Sequence, residues 1–370
     1  MKIGIITLPL HINYGGILQA YALQKVLQDM GHDVVLLDCY PKCPQLHPFP
    51  LQQMFYLKRL LKKFFTPHSA TPIFYEKIQI ERYHKKEHIR NFYRKHIRHI
   101  DFNQRMRLNP KDFNALVVGS DQIWRPMYCS NIANSYLEFA EHWTNIKRIA
   151  YAASFGTDKW EYTEEQTNAC SQLAKLFNAV SVREETGITL CSKYFDVDAA
   201  WVLDPTLLVD TKHYTEHIKN TTITIPKSIC LSYILDETEE KNAILQHILE
   251  THEYNLVEYK DIDNPDNSNV PSVEEWLKAF HDANFVFTDS FHGCVFSIIF
   301  NKPFIIYGNK ERGMARFNSL LKIFGLEDRL VTSKEEAEKA ITQPIDWEKV
   351  NTIKKEWQDK SLNFLKKNLK

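Results

Sequence analysis

The stretch FVFTDSFHGCVFSIIFNKPFIIYG, Phe285 to Gly308, indicates the fold class of the chain. It contains a short apolar run, the polar joint TDSFHG, a longer apolar run and a third run, KPFIIYG. Short runs rich in β-branched and aromatic residues are typical of buried strands, and the longer run between them fits a helix. A strand, a loop, a helix and a further strand predict a right-handed crossover between parallel strands.

The same organisation recurs along most of the chain. The β-branched run Lys2–Leu8 leads into a polar, glycine-containing joint, His11–Gly16, and then into a helical pattern that ends at Gly31. The sequence therefore predicts an α/β protein with two Rossmann-like domains, each built on a parallel sheet. Further strands that end in polar loops are predicted in ALVVGSDQIW, RIAYAASFG and AVSVREETG, and the pattern restarts after Asp204–Asp210 with SICLSYIL.

The length of the chain agrees with two domains. At 370 residues it is long for a single hydrophobic core. We predict a first domain over residues 1–204, a second over residues 205–345 that carries the TDSFHG loop, and a terminal helix over residues 346–370 that packs back on the first domain. Between about residues 41 and 110 the alternation stops, and a helical insertion into the first domain is predicted there.

One helix of this insertion, LQQMFYLKRLLKKFF from Leu51 to Phe65, is amphipathic. Met54, Leu57, Leu61 and Phe64 share one side, and basic residues occupy the rest. Such a helix can lie on an anionic membrane surface. Alternatively, it packs on its own domain and leaves a basic face in water. The sequence leaves both interpretations open, with the second favoured.

Composition excludes several classes of protein. Lys plus Arg and Asp plus Glu number 46 each, so no overall positive field exists to attract nucleic acid. The seven cysteines are scattered and lack the paired CxxC spacing of zinc sites, which predicts reduced thiols and no metal. No export signal and no membrane-spanning stretch are recognised. We therefore expect a cytoplasmic protein.

The TDSFHG joint is a candidate binding site, because ligands of open α/β sheets bind where strands end. The helix that begins near His292 or Gly293 offers backbone N–H groups to a phosphate or carboxylate. Ser290 and Gly293 would contact the ligand, and Gly293 would allow its close approach. His292 is able to pair with an anion or to transfer a proton, and Asp289 is expected to hold its imidazole. An ordinary hydrogen-bonded histidine is the alternative.

Two further strand ends carry polar or glycine residues that are expected to converge on the same point. Asn13, Gly15 and Gly16 follow the first strand. Ser120 and Asp121 follow the strand ALVV, and Asp121 is a candidate base. The alternative for Asp121 is a helix N-cap.

Three arginines and one aspartate extend this set of candidates. Arg183 follows AVSV directly and is able to clamp a carboxylate or phosphate through two hydrogen bonds. A salt bridge to a neighbouring glutamate is the alternative for Arg183. Asp204, before Pro205, either caps a turn or orients a hydroxyl group. Arg312 and Arg316 lie just beyond the strand KPFIIYG, within reach of the same cleft.

Six motifs occur in this order along the chain: NYGGILQAYALQ, VVGSDQIW, YAASFG, SVREETG, LDPT and TDSFHG. Taken together, they resemble those of the polysaccharide pyruvyl transferase family, from Lys2 to about Arg329. The resemblance implies a GT-B-like pair of Rossmann-type domains with a cleft between them. It also implies transfer of a pyruvyl group from phosphoenolpyruvate to a hydroxyl pair of a saccharide or lipid-linked saccharide, without a cofactor, at the inner face of the membrane. Arg183 and His292 would then hold the donor, and Asp121 and Asp204 would serve the acceptor or catalysis.

One position departs from the family pattern. Members that transfer pyruvate usually have an arginine two residues before the histidine, and this chain has Ser290 there. A charge-assisted hydrogen bond contributes about 1.5–3 kcal/mol, so Arg312 or Arg316 would have to replace that arginine. Two other functions stay open on this sequence. One is glycosyl transfer from a nucleotide sugar, and the other is non-catalytic binding.

Overall fold

The computed structural model describes residues 1–10, 13–38, 42–66, 71–102, 108–219, 221, 226–262, 270–308 and 313–370. Within these ranges the chain forms two sheets, of seven and five strands, and every strand pairing is parallel. The predicted fold class, two α/β domains with parallel sheets, is confirmed.

The first sheet has the strand order β3-β2-β1-β4-β5-β6-β7. Its order reverses between β1 and β4, which pair directly with Ile5 opposite Val117. Chain segments on either side of such a reversal diverge to opposite faces of the sheet and leave a crevice at the carboxyl ends of the strands. The strands are β1 (Lys2–Ile6), β2 (Asp33–Asp38), β3 (His99–Asp101), β4 (Ala115–Val118), β5 (Lys147–Ala153), β6 (Ala179–Val182) and β7 (Ala199–Trp201).

The second sheet has the order β12-β11-β10-β8-β9 and reverses between β8 and β10. This reversal places a second crevice at the end of β10, where TDSFHG begins. The strands are β8 (Ile229–Ile234), β9 (Asn255–Lys260), β10 (Phe285–Thr288), β11 (Phe304–Tyr307) and β12 (Leu330–Val331).

Helices connect the strands and cover the sheets. None of those in the described part of the chain is both long enough and apolar enough to cross a membrane. The α-helices are α1 (Tyr14–Asp29), α2 (Leu51–Phe65), α3 (Tyr75–Lys85), α4 (Glu87–His96), α5 (Glu164–Ala174), α6 (Glu185–Leu190), α7 (Thr211–Ile218), α8 (Glu239–His252), α9 (Val273–Asp282), α10 (Phe291–Ile299), α11 (Ala315–Phe324), α12 (Lys334–Ile341) and α13 (Trp347–Asn368).

The two sheets are joined by a shared apolar core. The ring of Tyr14, at the start of α1, stacks on Trp276 of α9 with ring centres 5.4 Å apart. The Tyr14 hydroxyl donates to the carbonyl of Pro271 at 2.5 Å. This packing brings the amino end of α1 towards the second sheet, so the two crevices face each other.

The carboxyl-terminal helix packs against β7, the edge strand of the first sheet, and the residues that follow it. Ser361 of α13 accepts a hydrogen bond from the backbone N–H of Leu203 at 3.0 Å. Trp357 packs edge-on against Trp201 of β7, with ring centres 4.9 Å apart. The limits that the sequence suggested for the domains stay a prediction, because strand pairing does not define them.

The segment predicted as a helical insertion contains α2, α3 and α4, and it also contains β3, which pairs with β2. A strand of three residues is too short to give a periodic signal, so the sequence pattern did not predict it. The favoured interpretation of α2, a helix that packs on its own domain and leaves a basic face in water, is confirmed only in part. Tyr56 and Arg59 contact α3 and the residue before it, but the apolar side does not pack on the domain, since α2 has no buried residue.

Candidate active site

Side chains from both domains meet between the carboxyl ends of the sheets. Arg183 follows β6 and Asp204 follows β7, and Nη1 of Arg183 donates to Oδ2 of Asp204 at 2.8 Å. Nε2 of His292, from the first turn of α10, lies 3.9 Å from the same oxygen. All three side chains are buried. The structure therefore brings together three residues that the sequence singled out separately.

Asp204 is the centre of this arrangement. Its Oδ2 also accepts from the Ser120 hydroxyl at 3.0 Å, and its Oδ1 accepts from the backbone N–H and hydroxyl of Thr206 at 3.0 and 2.6 Å. Burial opposes ionisation of Asp204, but the charge of Arg183 and the smaller effects of His292 and of the hydrogen bonds from Thr206 and Arg183 together outweigh it and hold the pKa of Asp204 below its usual value. Asp204 is thus an ionised residue that positions Arg183, and it also caps the short helical turn after Pro205, as one interpretation of the sequence had it.

Two buried guanidinium groups lie against one aromatic ring. Cζ of Arg183 is 4.4 Å from the ring centre of Phe291, and Cζ of Arg316, in α11, is 5.5 Å from it. Burial and the nearby charge of Arg183 lower the pKa of Arg316 to about 10. An anion placed between two like charges relieves their repulsion, so this geometry favours an anionic ligand.

Several buried side-chain nitrogens at this point have no hydrogen-bond partner among the described residues. They are Nε and Nη2 of Arg183 and Nε2 of His292. A buried polar atom without a partner costs roughly 1–3 kcal/mol, and such atoms are rare in folded proteins. A ligand that accepts hydrogen bonds would satisfy them.

The imidazole of His292 packs directly against the backbone of α1. A Cβ atom built on Gly15 would lie 1.9 Å from Nδ1 of His292, which is far inside contact distance. Only glycine at position 15 therefore allows the first turn of α1 to approach the imidazole this closely.

We expect Gly15→Ala to displace the imidazole and to lower the free energy of unfolding by about 1–3 kcal/mol, the usual effect of overpacking. Gly16→Ala is the matched control, because its nearest contact, with Asp121, would be an ordinary 3.7 Å. In a helix that second change is neutral or stabilises by up to about 1 kcal/mol. Urea unfolding of both variants measures the difference, and equal effects would contradict the contact.

Burial lowers the pKa of His292 to about 4, against the opposing charges of Asp204 and Asp121. The imidazole is therefore neutral at pH 7 in the ligand-free protein. Since the unfolded chain has a histidine pKa of about 6.5, protonation favours unfolding. Stability is retained above about pH 6.5 and is lost as the pH falls towards 4, by a total on the order of 3 kcal/mol.

This pH dependence is checked by urea unfolding at a series of pH values in the wild type and in His292→Gln. The wild type should lose more stability than the variant between pH 6.5 and 4. Carboxylates and other histidines, such as His217, titrate in both proteins and cancel in the comparison. Parallel curves would show that the buried imidazole does not titrate as described.

Arg183, Asp204, His292 and Arg316 form the cluster at the centre of this site, and Asp121 lies at its edge. Its Oδ1 is 3.8 Å from Nη2 of Arg183, and its backbone has a φ of 60°, in the left-handed region. No α-helix begins at Asp121, so the N-cap interpretation does not hold. The salt bridge suggested between Arg183 and its neighbouring glutamate is replaced by the contact with Asp204.

Two expectations for the TDSFHG loop need correction. Asp289 does not hold the imidazole, because its carboxylate accepts from Nζ of Lys241 at 2.8 Å and from the backbone N–H groups of Leu235 and Asp236. The expectation that Gly293 allows close approach of a ligand is also not supported, because this glycine has a packing role. A Cβ at this position would lie 2.4 Å from Oγ1 of Thr288, so glycine is required to pack α10 on β10.

The remaining candidates have structural partners or lie outside the described residues. Asn13 caps α1 by accepting from the N–H of Gly15 at 3.0 Å. Ser290 caps α10 by accepting from the N–H of Gly293 at 3.4 Å. Arg312 lies outside the described residues, whereas Arg316 reaches the cluster.

The sequence reasoning missed two residues of the cluster. Phe291, inside TDSFHG, lies against both arginines, and Thr206, inside LDPT, gives Asp204 two of its hydrogen bonds. Phe291 is adjacent to His292, and Thr206 follows Asp204 by two residues. Neither residue type by itself indicates a ligand site, because a buried phenylalanine or threonine is also common in a hydrophobic core.

Two α/β domains, each with a parallel sheet, face each other across one buried site, and this arrangement defines a protein of the GT-B type. A UDP-GlcNAc 2-epimerase from Neisseria meningitidis, solved with UDP-GlcNAc bound, has a similar fold, with a TM-score of 0.51 and 10% identity over 100% of both chains. The model of the polysaccharide pyruvyl transferase family matches residues 13–311, and the chain belongs to this family. It is therefore a transferase, as the sequence motifs predicted.

Other solved structures are similar to the chain at comparable identity. A UDP-N-acetylglucosamine 2-epimerase from Rickettsia bellii has a TM-score of 0.49 and 11% identity over 99% of this chain and 96% of its own. A transferase from Siraitia grosvenorii in complex with UDP has a TM-score of 0.45 and 10% identity over 100% of both chains. No curated protein sequence matches the chain. At such identities the likeness extends to the fold alone.

Proposed function

We propose that the protein transfers the pyruvyl group of phosphoenolpyruvate to a pair of hydroxyl groups on a saccharide, forming a ketal and releasing phosphate. The observation that carries this proposal is the meeting of Arg183, Arg316 and His292 at one buried point, where nitrogens of Arg183 and His292 have no hydrogen-bond partner among the described residues. Phosphoenolpyruvate is small and carries a carboxylate and a phosphate. Two guanidinium groups and a helix amino end suit such a pair of anionic groups.

Arg316 would supply the charge that the family arginine provides and that Ser290 lacks. It reaches the same aromatic ring as Arg183 from a different helix, α11, so the charge enters from another part of the fold. Ser290 is then free to act as the N-cap of α10, whose first turn points its N–H groups and partial positive charge at the donor.

The chemistry begins with His292, which is neutral without ligand. Because a nearby anion raises the pKa of an imidazole, donor binding would allow His292 to take up a proton and pass it to C3 of phosphoenolpyruvate. The electrons of the C2–C3 double bond form the new C3–H bond and leave C2 electrophilic. A sugar hydroxyl attacks C2 and gives its proton to Asp121.

The second half of the reaction closes the ketal. The bond between C2 and the phosphate oxygen breaks, and the second hydroxyl attacks C2. Its proton leaves with the phosphate, and return of the proton from Asp121 to His292 restores the enzyme. Atoms and charges balance without an oxidant, a reductant or a resident cofactor, and the proposal includes none.

A cavity of about 550 Å³, lined by other residues than those of the cluster, suits the acceptor. It lies at the ends of β1 and β2, and amide, hydroxyl and aromatic side chains line it, including Asn134, Ser130 and Tyr128. Its described lining contains no Lys, Arg or His, which favours a neutral, hydroxyl-rich ligand over an anion. Thr7, in its wall, donates to the backbone carbonyl of Ser120 at 3.4 Å and so connects the cavity with the cluster.

The setting of the reaction is part of the same proposal. The acceptor is a saccharide or a lipid-linked saccharide, and the product contributes to surface or capsular polysaccharide. The enzyme would act in the cytoplasm, at the inner face of the membrane when the acceptor is carried on a lipid.

Product analysis tests the proposal. The protein is incubated with cytoplasmic saccharide and lipid-linked saccharide fractions, and with either phosphoenolpyruvate or UDP-GlcNAc as donor. We expect inorganic phosphate and a ketal-modified saccharide with phosphoenolpyruvate. Release of UDP instead would identify a glycosyltransferase, and binding of either donor without turnover would identify a non-catalytic protein. Either of these outcomes overturns the proposal.

A further inference from the structure

Helix α2 exposes an apolar face to solvent. Of the 15 exposed large apolar side chains among the described residues, 11 lie between residues 46 and 75, so exposure is concentrated on this helix and its flanks. Leu57 is 57% exposed, Leu61 is 52% and Phe64 is 81%. These three side chains follow the spacing of one helical face.

The opposite face of α2 makes the contacts with the rest of the protein. Arg59 donates to both carboxylate oxygens of Glu76, at 2.6 and 2.5 Å, and to the carbonyl of Ile73 at 3.2 Å. The ring of Tyr56 packs edge-on against Phe74, with ring centres 5.0 Å apart. An ordinary surface helix turns its apolar stripe inward. In α2 the polar and aromatic side faces inward, so the aliphatic side is available to a partner.

The charges of α2 indicate what this partner is. Lys58 and Lys62 are exposed and flank the apolar face, and the helix contains no acidic residue. A second copy of this chain is disfavoured as the partner, because two copies of α2 would bring lysines against lysines. A bilayer with anionic headgroups satisfies both features, since its hydrocarbon accepts the leucines and its headgroups attract the lysines.

We propose that α2 docks the protein on the surface of an anionic lipid bilayer, with Leu57, Leu61 and Phe64 inserted among the acyl chains and Lys58 and Lys62 at the headgroups. This inference does not depend on the reaction proposed above. A protein that proves to be a glycosyltransferase would dock in the same way.

Sedimentation with lipid vesicles tests the inference on the full chain. We expect it to bind vesicles that contain phosphatidylglycerol and to bind pure phosphatidylcholine at least about tenfold more weakly, with added salt reducing the difference. Leu57→Gln combined with Leu61→Gln should abolish binding. Lys58→Gln combined with Lys62→Gln should weaken it about tenfold or more.

The matched control is Leu176→Gln, which changes an exposed leucine outside the patch and should leave binding unchanged. Circular dichroism shows whether each variant keeps its fold. Absence of vesicle binding by the wild type overturns the inference, and so does binding that survives the double leucine change. Self-association that the leucine change abolishes, without lipid binding, would assign the face to a second copy instead.

Discussion

Replacement of His292 by alanine is expected to lower kcat by about 10²–10⁴-fold, the usual contribution of a positioned acid or base. His292 is the one histidine in the cluster of Arg183, Asp204 and Arg316, and its Nε2 has no partner among the described residues. The rate of phosphate release from phosphoenolpyruvate measures the effect, with the acceptor fraction that the product analysis identifies.

His281→Ala is the control for this change. His281 lies in α9, and its imidazole pairs with Asp282 at 2.7 Å on the exposed side of that helix. We expect turnover of this variant to equal that of the wild type. Full turnover of His292→Ala would exclude His292 from proton transfer, and a raised KM with unchanged kcat would reduce its role to donor binding.

Replacement of Arg183 by methionine is expected to lower the free energy of unfolding by about 3–5 kcal/mol, because it leaves the carboxylate of Asp204 buried without a countercharge. Arg183 is also the residue that we propose as the main anion clamp, so the same change should abolish donor binding. Urea unfolding measures the first effect and calorimetric titration with phosphoenolpyruvate measures the second.

A second variant separates stability from function. In Arg183→Met/Asp204→Asn no charge is left unpaired, and we expect most of the lost stability to return while donor binding stays absent. Arg148→Met is the control for loss of a buried arginine, since Arg148 donates to backbone carbonyls and not to a carboxylate. Its stability loss should be smaller, and its donor binding normal. Donor binding by the double variant would show that Arg183 acts only on the fold.

Much of the fold and of the cluster could be predicted because parallel sheets place the ends of all their strands along one edge. Once the alternation of strands and helices was recognised, Ser120, Arg183 and Asp204 had to lie near that edge of the first sheet, and His292 near that edge of the second. Their order along the chain gave no measure of the distances between them. The meeting of the two crevices depends on the packing of Tyr14 on Trp276, which no local pattern reveals.

Two of the expectations that failed share one physical reason, which is that side-chain direction depends on distant partners. Asp289 turns away from His292 because Lys241, in α8, offers a charged partner on the other side. The periodicity of α2 predicted a helix correctly, but the ion pair between Arg59 and Glu76 determines which face turns inward. The strand β3 was missed for a different reason, since its three residues are too few to show a pattern.

Calorimetric titration of phosphoenolpyruvate into the wild type and into Arg316→Met tests the central claim most directly, because Arg316 stands for the charge that Ser290 lacks. We predict that the wild type binds phosphoenolpyruvate and that the variant binds it about ten- to a hundredfold more weakly, as expected for loss of a charge-assisted hydrogen bond. Arg125→Met, which removes a buried arginine paired with Glu161, should bind as the wild type does. Equal affinity of the wild type and Arg316→Met, or binding of UDP-GlcNAc in place of phosphoenolpyruvate, would contradict the account.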